Sequence, residues 1–264
     1  MDIEIVDVFT YDGKGGNKAG VIISPDIGIN CQKIASDLGF SETVFVEKVD
    51  KNIFKLEFYT PKCRIEFCGH ASLGAFYILK KNEVISTGEY IARTDIGDIH
   101  IFVERKKIFL AQDEIEIAKV IDEKEVIKSL NIDMEDLENK LPIRIVYSGL
   151  RDILVPIKNK NILNEIKINK EMVENISKDN FVVGYHLFYK NGDKIYARNF
   201  APLYGIDEEA ATGSSNGALL GYLYKIGEID PGEYEITQGE NYEYPSKIIG
   251  KILENGKIYI GSEF

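Results

Sequence analysis

Two stretches of the chain decide its fold: GHASLGAFYILKK at residues 69–81 and GSSNGALLGYLYKIG at residues 213–227. Each stretch opens at a glycine followed by small residues, and each is apolar on nearly all sides. A surface helix normally keeps one polar face, so a helix without such a face has to be covered all round. We therefore expect two buried helices, each wrapped by a β-sheet.

Most of the remaining sequence predicts short strands, because apolar and polar residues alternate and β-branched or aromatic residues are frequent. The predicted strands are residues 2–8, 19–23, 43–48, 53–59, 89–95, 98–105, 107–112, 142–148, 181–190, 194–200, 246–253 and 257–261. Peripheral amphipathic helices are predicted at residues 31–39, 123–130 and 170–177. Residues 113–140 are predicted to form a linker with surface helices.

The two halves of the chain repeat one pattern. A strand ends in an aromatic residue followed by x-Pro, at residues 59–61 and again at residues 200–202, and a small-residue helix begins soon afterwards, at Gly69 and at Gly213. A repeat of this length indicates two related units, since a solenoid needs shorter and more numerous repeats. The predicted fold class is α+β, with two pseudo-symmetric domains, each a curved, mostly antiparallel sheet around a central apolar helix.

The charge balance argues against nucleic acid as a partner. The 264 residues include 32 Lys and Arg against 43 Asp and Glu, a formal net charge of −11. Phosphate binding requires clustered basic residues, and here the lysines are scattered among acids. The same acidity disfavours an anionic membrane surface, but a small anionic substrate would respond to the local field of its pocket.

The cysteines and the N-terminus favour a cytoplasmic protein. The odd number of cysteines, three, suits a reducing compartment better than a disulfide scaffold. The first residues, MDIEIVDVFTYDG, carry acids where a signal peptide has a basic region. No apolar run approaches the roughly 18 residues that a membrane span requires.

Two loops that precede the apolar helices are candidate anion sites. FCGHAS at 67–72 and ATGSSN at 211–216 each lead into a helix N-terminus, where backbone N–H groups and the helix dipole attract negative charge. Together they could hold a small carboxylate-bearing substrate. An equally good interpretation is that the small residues only allow close packing.

Glu42 is the candidate acid/base. It lies where the polar sequence Ser41-Glu42-Thr43 enters an apolar strand, a position in which the pKa of a carboxyl group can rise toward neutrality. From the pattern alone, a solvated surface glutamate is the simpler interpretation. His70 has a similar alternative, because a single histidine near a helix start is often a capping or packing residue.

Five segments, taken together, resemble the PhzF-like (phenazine biosynthesis) family, whose fold is that of diaminopimelate epimerase. The segments are VDVFTYDGKGGNKAGVII (6–23), IASDLGFSETVFV (34–46), FYTPKCRIEFCGHASLGA (58–75), ARNFAPLYGIDEEAATGSSNGALLGYL (197–223) and ITQGENYEYPSKI (236–248). The resemblance implies an N-terminal domain of residues 1–113, completed by the strand near 257–264, and a C-terminal domain of residues 114–256. It places the active site in the cleft between them.

The resemblance also implies roles for individual residues. Glu42 would be the general acid/base that moves a proton between carbon atoms, with three further residues in the catalytic set: His70, Glu209 and Ser214. The substrate-binding residues would be Asn17, Gly69, Ala71, Thr212, Gly213 and Ser215. The implied protein is a cofactor-independent isomerase, a homodimer, and free of metal. One departure stands out, because Glu209-Ala210 occupies the place of the family's Asp-Pro.

Two alternative functions stay open at this stage. The Glu209-Ala210 departure is compatible with a carboxylate-binding protein without turnover. A one-cysteine epimerase or racemase could use Cys68 with Glu42 or Glu209, although the second loop carries no matching cysteine. We expect Cys68 instead to be a buried small hydrophobic residue. A zinc site of Cys63, Cys68 and His70 would lack a fourth ligand at a useful spacing.

Overall fold

The structure is a computed structural model that describes residues 3–24, 28 and 30–264. Asp2, with which the first predicted strand begins, lies outside the described residues. The chain forms two compact units, of which unit 1 runs to Ala111 and includes Gly261–Phe264, and unit 2 is Gln112–Ile260. No helix in the part of the chain that the structure describes combines the length and the apolar character needed to cross a bilayer.

Unit 1 is a sheet that encloses a helix. Its strands are β1 (Ile3–Val8), β2 (Asn17–Ile23), β3 (Glu42–Lys48), β4 (Ile53–Tyr59), β5 (Arg64–Ile65), β6 (Gly88–Thr94), β7 (Gly97–Val103) and β8 (Lys107–Ala111). Its helices are α1 (Cys31–Leu38) and α2 (Gly69–Lys81). The helix α2 packs against β1, β2, β3 and β8. Because β1 and β8 lie far apart in the strand order, the sheet has to wrap around this helix.

Unit 2 is built in the same way. Its strands are β9 (Glu116–Val120), β10 (Arg144–Ser148), β11 (Leu150–Pro156), β12 (Gly184–Asn191), β13 (Lys194–Ala201), β14 (Ile206–Glu209), β15 (Gly232–Gln238), β16 (Ser246–Ile252) and β17 (Ile258–Glu263), the last of which ends in unit 1. Its helices are α3 (Glu123–Leu130), α4 (Lys160–Glu165), α5 (Lys170–Asp179) and α6 (Gly213–Lys225). The helix α6 packs against β10, β11 and β16.

The strand pairing shows that the two units repeat one topology. In unit 1 the pairs β1–β2, β3–β4 and β6–β7 are antiparallel, and the pairs β2–β3 and β4–β6 are parallel. In unit 2 the pairs β10–β11, β12–β13 and β15–β16 are antiparallel, and β11–β12 and β13–β15 are parallel. In both units the central helix follows the second antiparallel pair. The sequence repeat therefore corresponds to a repeat of structure.

The small residues of the central helices allow close approach to the sheet. Gly74 of α2 is buried, and a Cβ atom at this position would lie 2.6 Å from Cγ1 of Val6 on β1. Most of α2 after its first turn is buried, including Leu73, Phe76 and Leu79. Packing of this density explains why the helix needs small residues on the faces where strands pass closest.

The predicted helices agree better with the structure than the predicted strands do. The helix predicted at 69–81 is confirmed with both bounds, and the one predicted from residue 213 ends at Lys225. The prediction that residues 113–140 are a linker with surface helices was wrong in part, because β9 lies there. The prediction also missed β11 and β15. Charged residues, Arg-Asp near the start of β11 and the glutamates of β15, interrupt the apolar pattern of these two strands, although parts of both are buried.

Candidate active site

Glu42 and His70 meet in unit 1. Glu42 is the first residue of β3 and pairs with Ala19 of the parallel strand β2, and His70 is the second residue of α2. Oε2 of Glu42 lies 3.3 Å from Nε2 of His70, with 22% and 12% of the two side chains exposed. The interpretation of Glu42 as a solvated surface residue is therefore wrong.

The two facing atoms have no hydrogen-bond partner among the described residues. Their separation is within the range of an ion pair, so the contact is close but poorly directed for a hydrogen bond. Burial lowers the pKa of His70, and the negative charge of Glu42 and a backbone hydrogen bond with Lys18 only partly oppose this effect. The imidazole is therefore neutral around pH 7.

Cys68 lies on the other side of the imidazole. Its Sγ atom is 3.3 Å from Nδ1 of His70, and its side chain is half-buried. The expectation that Cys68 is simply a buried hydrophobic residue was wrong, because the thiol contacts a polar ring. His70 does not cap the helix either, since the N-cap of α2 is Cys68 and no side chain of the described residues caps this end.

The first turn of α2 presents backbone donors beside this cluster. Ser72 is the first residue of α2 whose N–H bonds back along the chain, to the carbonyl oxygen of Cys68. The amides of Gly69, His70 and Ala71 precede it and have no acceptor within the helix. Ala71 is fully buried, with its backbone, whereas Gly69 and His70 are half-buried. Such amides favour a carboxylate or an oxyanion.

Asn17 lies close to this cluster in the sheet. It is the first residue of β2, and its side chain is half-buried on the same side of the strand as that of Ala19, the register partner of Glu42. This position is compatible with the predicted role in substrate binding.

The corresponding end of α6 in unit 2 is organised differently. The side chain of Gln238 accepts a hydrogen bond from the backbone N–H of Thr212 at 3.1 Å, and it donates to Oγ1 of Thr212 and to the carbonyl oxygen of Glu209. The amide of Thr212 is therefore already satisfied within the unit. The amides of Gly213 and Ser214 belong to the first turn of α6, which no side chain of the described residues caps.

The predicted binding residue Ser215 points into the core of unit 2. Its hydroxyl group donates to Oδ2 of Asp152 at 2.6 Å and accepts from Nδ2 of Asn199 at 3.2 Å. Only 3% of Ser215 is exposed. Ser214 is half-buried instead, and Glu209, also half-buried, ends β14.

A buried polar network of unit 2 escaped the sequence analysis. His186 lies between Asn199 and Asn216, with Nδ1 and Nε2 at 3.2 and 3.1 Å from the two amide side chains, and Asn216 donates to Gln238. Burial lowers the pKa of His186 to about 4 and raises the pKa of Asp152 to about 6. The signal available in the sequence was a charged or imidazole side chain inside an otherwise apolar strand.

Comparisons with known proteins agree with this architecture. The sequence profile of the family described as "Phenazine biosynthesis-like protein" matches residues 6–258. An uncharacterized isomerase of Clostridium acetobutylicum is 32% identical over 89% of this chain and 84% of that protein. A crystal structure of a Bacillus anthracis phenazine biosynthesis protein of the PhzF family superposes with a TM-score of 0.84 at 23% identity, covering 100% of this chain and 96% of that one.

A more distant structure extends the likeness of fold to a racemase. A probable proline racemase from Agrobacterium radiobacter superposes with a TM-score of 0.59 at 12% identity, covering 99% of this chain and 90% of that one. At this identity the match concerns the fold alone. It confirms the predicted α+β fold of the diaminopimelate epimerase type. With the profile match spanning nearly the whole sequence, the chain belongs to the phenazine biosynthesis-like (PhzF) family.

Proposed function

We propose that the protein is an isomerase that moves a proton between carbon atoms of a small carboxylate-bearing substrate. The observation that carries this proposal is the half-buried pair of Glu42 and His70, whose facing atoms, Oε2 and Nε2, lie 3.3 Å apart. Curated relatives named as isomerases, such as that of Clostridium acetobutylicum, support the reaction class.

In the proposed mechanism, Glu42 removes a proton from a carbon atom activated by the substrate's carboxylate or a neighbouring double bond. The electron pair of the broken C–H bond moves into the substrate and places negative charge on its oxygen atoms. Glu42 then returns the proton to a different carbon atom, so that the enzyme ends in its starting state. A positioned general base contributes about 10²- to 10⁴-fold to the rate of such a step.

The other groups near Glu42 stabilise the charge that develops. His70, neutral because burial lowers its pKa, can donate one hydrogen bond to an oxygen atom of the substrate. The backbone amide of the half-buried Gly69 can bind the carboxylate, since it lies in the uncapped first turn of α2, and a role for Ala71 stays a prediction. All of these are groups of the chain itself, and the proposed step uses no cofactor. For Ser214 and Glu209 of unit 2, the catalytic roles stay predictions.

Proton NMR in heavy water tests the proposal. A panel of small unsaturated, amino and hydroxy acids is incubated with the wild type, and deuterium incorporation into carbon positions is followed. We expect at least one compound to exchange with the wild type. Ligands that shift on binding without any exchange would support the carboxylate-binding protein instead.

A one-cysteine epimerase is a second candidate, because Sγ of Cys68 lies 3.3 Å from Nδ1 of His70. In that case the thiol would carry one of the two protons that an epimerase handles. Cys68→Ala separates the two functions: the proposed isomerase keeps its exchange activity, whereas the epimerase loses it. Cys63→Ala, which removes an exposed thiol of the same unit, is the matched control.

A further inference from the structure

Gln238 joins the end of a strand to the loop that precedes α6. It is the last residue of β15, and its side chain is fully buried. Oε1 accepts hydrogen bonds from the backbone N–H of Thr212 at 3.1 Å and from Nδ2 of Asn216 at 2.7 Å. Nε2 donates to the carbonyl oxygen of Glu209 at 2.9 Å and to Oγ1 of Thr212 at 3.0 Å. These four bonds, which we call the clamp, use every donor and acceptor position of the side-chain amide.

The polar network behind the clamp allows one orientation of this amide group. Asn216 donates to Gln238 and to the carbonyl oxygen of Thr212, so its own side-chain oxygen faces Nε2 of His186 at 3.1 Å. Nδ1 of His186 accepts from Nδ2 of Asn199, which places the ring proton on Nε2. A flipped Gln238 would direct its NH₂ group at two other donors. The clamp is therefore held in a single arrangement.

The clamp acts on a short segment between two anchored elements. Between Glu209 and Thr212 stand two alanines, whose side chains form no hydrogen bonds. Before this segment, β14 is anchored separately, because the carboxylate of Glu208 forms a two-bond contact with Arg198. After it, α6 begins. The bonds of Gln238 therefore restrain the part of the chain that leads from β14 into the helix.

The clamp also changes what Thr212 does at the start of α6. Thr212 is the N-cap residue, and threonine in this place commonly accepts a hydrogen bond from an N–H group of the first helical turn. Here its hydroxyl oxygen accepts from Gln238 instead, and it forms no cap bond. The backbone N–H groups of Gly213 and Ser214 therefore stay uncapped by Thr212.

The corresponding strand of unit 1 ends differently. In the shared topology β6 corresponds to β15, and its last residue, Thr94, donates to the carbonyl oxygen of Gly97 within its own hairpin. The topology itself therefore does not require the end of this strand to bond to the entry of the central helix. The contact made by Gln238 calls for an explanation other than the fold.

We propose that Gln238 is a positioning residue, which holds the segment from Glu209 to Ser214 in the geometry that the reaction requires. This inference rests on the proposed function and on the predicted catalytic roles of Glu209 and Ser214. Gln238 acts through the backbone of Glu209 and through Thr212, and it touches no reacting atom itself. Precise placement matters because an error of about 1 Å in a positioned group can cost on the order of 100-fold in rate.

Amide hydrogen exchange in the wild type, resolved by NMR, tests the clamp without any variant. The N–H group of Thr212 bonds to a buried oxygen atom, whereas that of Ser214 lies in the first turn and has no acceptor within the helix. Relative to intrinsic rates, we expect the amide of Thr212 to exchange at least about 100-fold more slowly than that of Ser214. Similar protection of the two amides would overturn the clamp.

Gln238→Met tests whether the restraint is local. Methionine has nearly the length of glutamine and removes all four bonds. The amides of residues 210–214 should exchange at least about tenfold faster in this variant, while those of α5 keep their wild-type rates. Gln32→Met is the matched control, since it removes a bond to the carbonyl oxygen of Thr60 in unit 1. Unchanged exchange at residues 210–214, or faster exchange throughout unit 2, would contradict a local clamp.

Turnover separates a positioning role from simple support of the fold. On a compound that the wild type converts, Gln238→Met should lower kcat at least about tenfold, a larger factor than any rise in KM, and Gln32→Met should keep both constants. Gln238→Glu, which retains the two accepted bonds, is the milder variant to use where Gln238→Met does not fold. A loosened segment with an unchanged kcat would overturn the positioning role.

These readouts separate the clamp from the proposed function. Slow exchange of the Thr212 amide, without turnover of any compound, would leave the clamp standing and count against the isomerase. Turnover by a wild type in which Thr212 is unprotected would do the reverse. Loss of local protection together with a fall in kcat in Gln238→Met is the result expected if both are correct.

Discussion

Replacement of Asp152 by Asn should change how the stability of the protein depends on pH. Asp152 is 2% exposed, its Oδ2 atom accepts a hydrogen bond from Ser215, and its Oδ1 atom has no partner among the described residues. Burial raises the pKa of this carboxyl group from 3.8 to about 6, although the hydrogen bonds from Ser215 and from the backbone of Gly184 act in the opposite direction. The folded protein therefore holds the proton of Asp152 more tightly than the unfolded chain does.

The sign and size of the effect follow from this difference. The proton on Asp152 stabilises the fold fully below pH 3.8, and this contribution is lost as pH rises past about 6. Two units of pKa correspond to ~3 kcal/mol in total, of which about 2 kcal/mol falls between pH 4.5 and pH 7.5. Asn keeps the shape of the side chain but cannot ionise. The free energy of unfolding of Asp152→Asn minus that of the wild type should therefore rise by about 2 kcal/mol over this interval.

Urea unfolding followed by circular dichroism measures this difference at several pH values. Titration of all other groups is common to both proteins and largely cancels in the comparison. Asp179→Asn, at the exposed end of α5, removes the same charge from the surface and serves as the control. A difference between Asp152→Asn and the wild type that stays flat from pH 4.5 to pH 7.5 would refute the reasoning.

Three further predictions concern stability. Arg198→Lys should lower the free energy of unfolding by about 3 kcal/mol in urea, because lysine cannot reproduce the buried two-bond contact of the guanidinium group with Glu208. Phe181→Gly should raise it by about 0.5 kcal/mol, since Phe181 is 82% exposed and has a φ of 54°, and Phe181→Ala should give no gain. Gly184→Ala should cost about 3 kcal/mol in thermal unfolding because its Cβ atom would collide with the carbonyl oxygen of Phe200, and an unchanged melting temperature would contradict the packing.

Local sequence was sufficient to predict the central helices. The helix at 69–81 follows from the absence of a polar face. This feature is visible in the segment itself and does not depend on its neighbours in the fold. Glu42 and His70 were identified through motifs. Their contact depends on the pairing of β2 with β3 and on the path of the chain into α2, which motif spacing does not encode.

The network around Asp152 could not be predicted in this way. Its members lie on β11, β12, β13, β15 and α6, and no single segment shows which of these residues meet. Only the folded strand order brings Asp152, Ser215 and Gln238 into one buried region of unit 2.

The most direct test of the central claim compares deuterium exchange by the wild type, Glu42→Gln and Glu47→Gln on a compound that binds all three. Glu47→Gln removes a carboxylate from the same strand, β3, and is the matched control. The proposed mechanism predicts an exchange rate at least about 100-fold lower for Glu42→Gln, with binding retained and with Glu47→Gln close to the wild type. Full exchange activity in Glu42→Gln would contradict the assignment of Glu42 as the base.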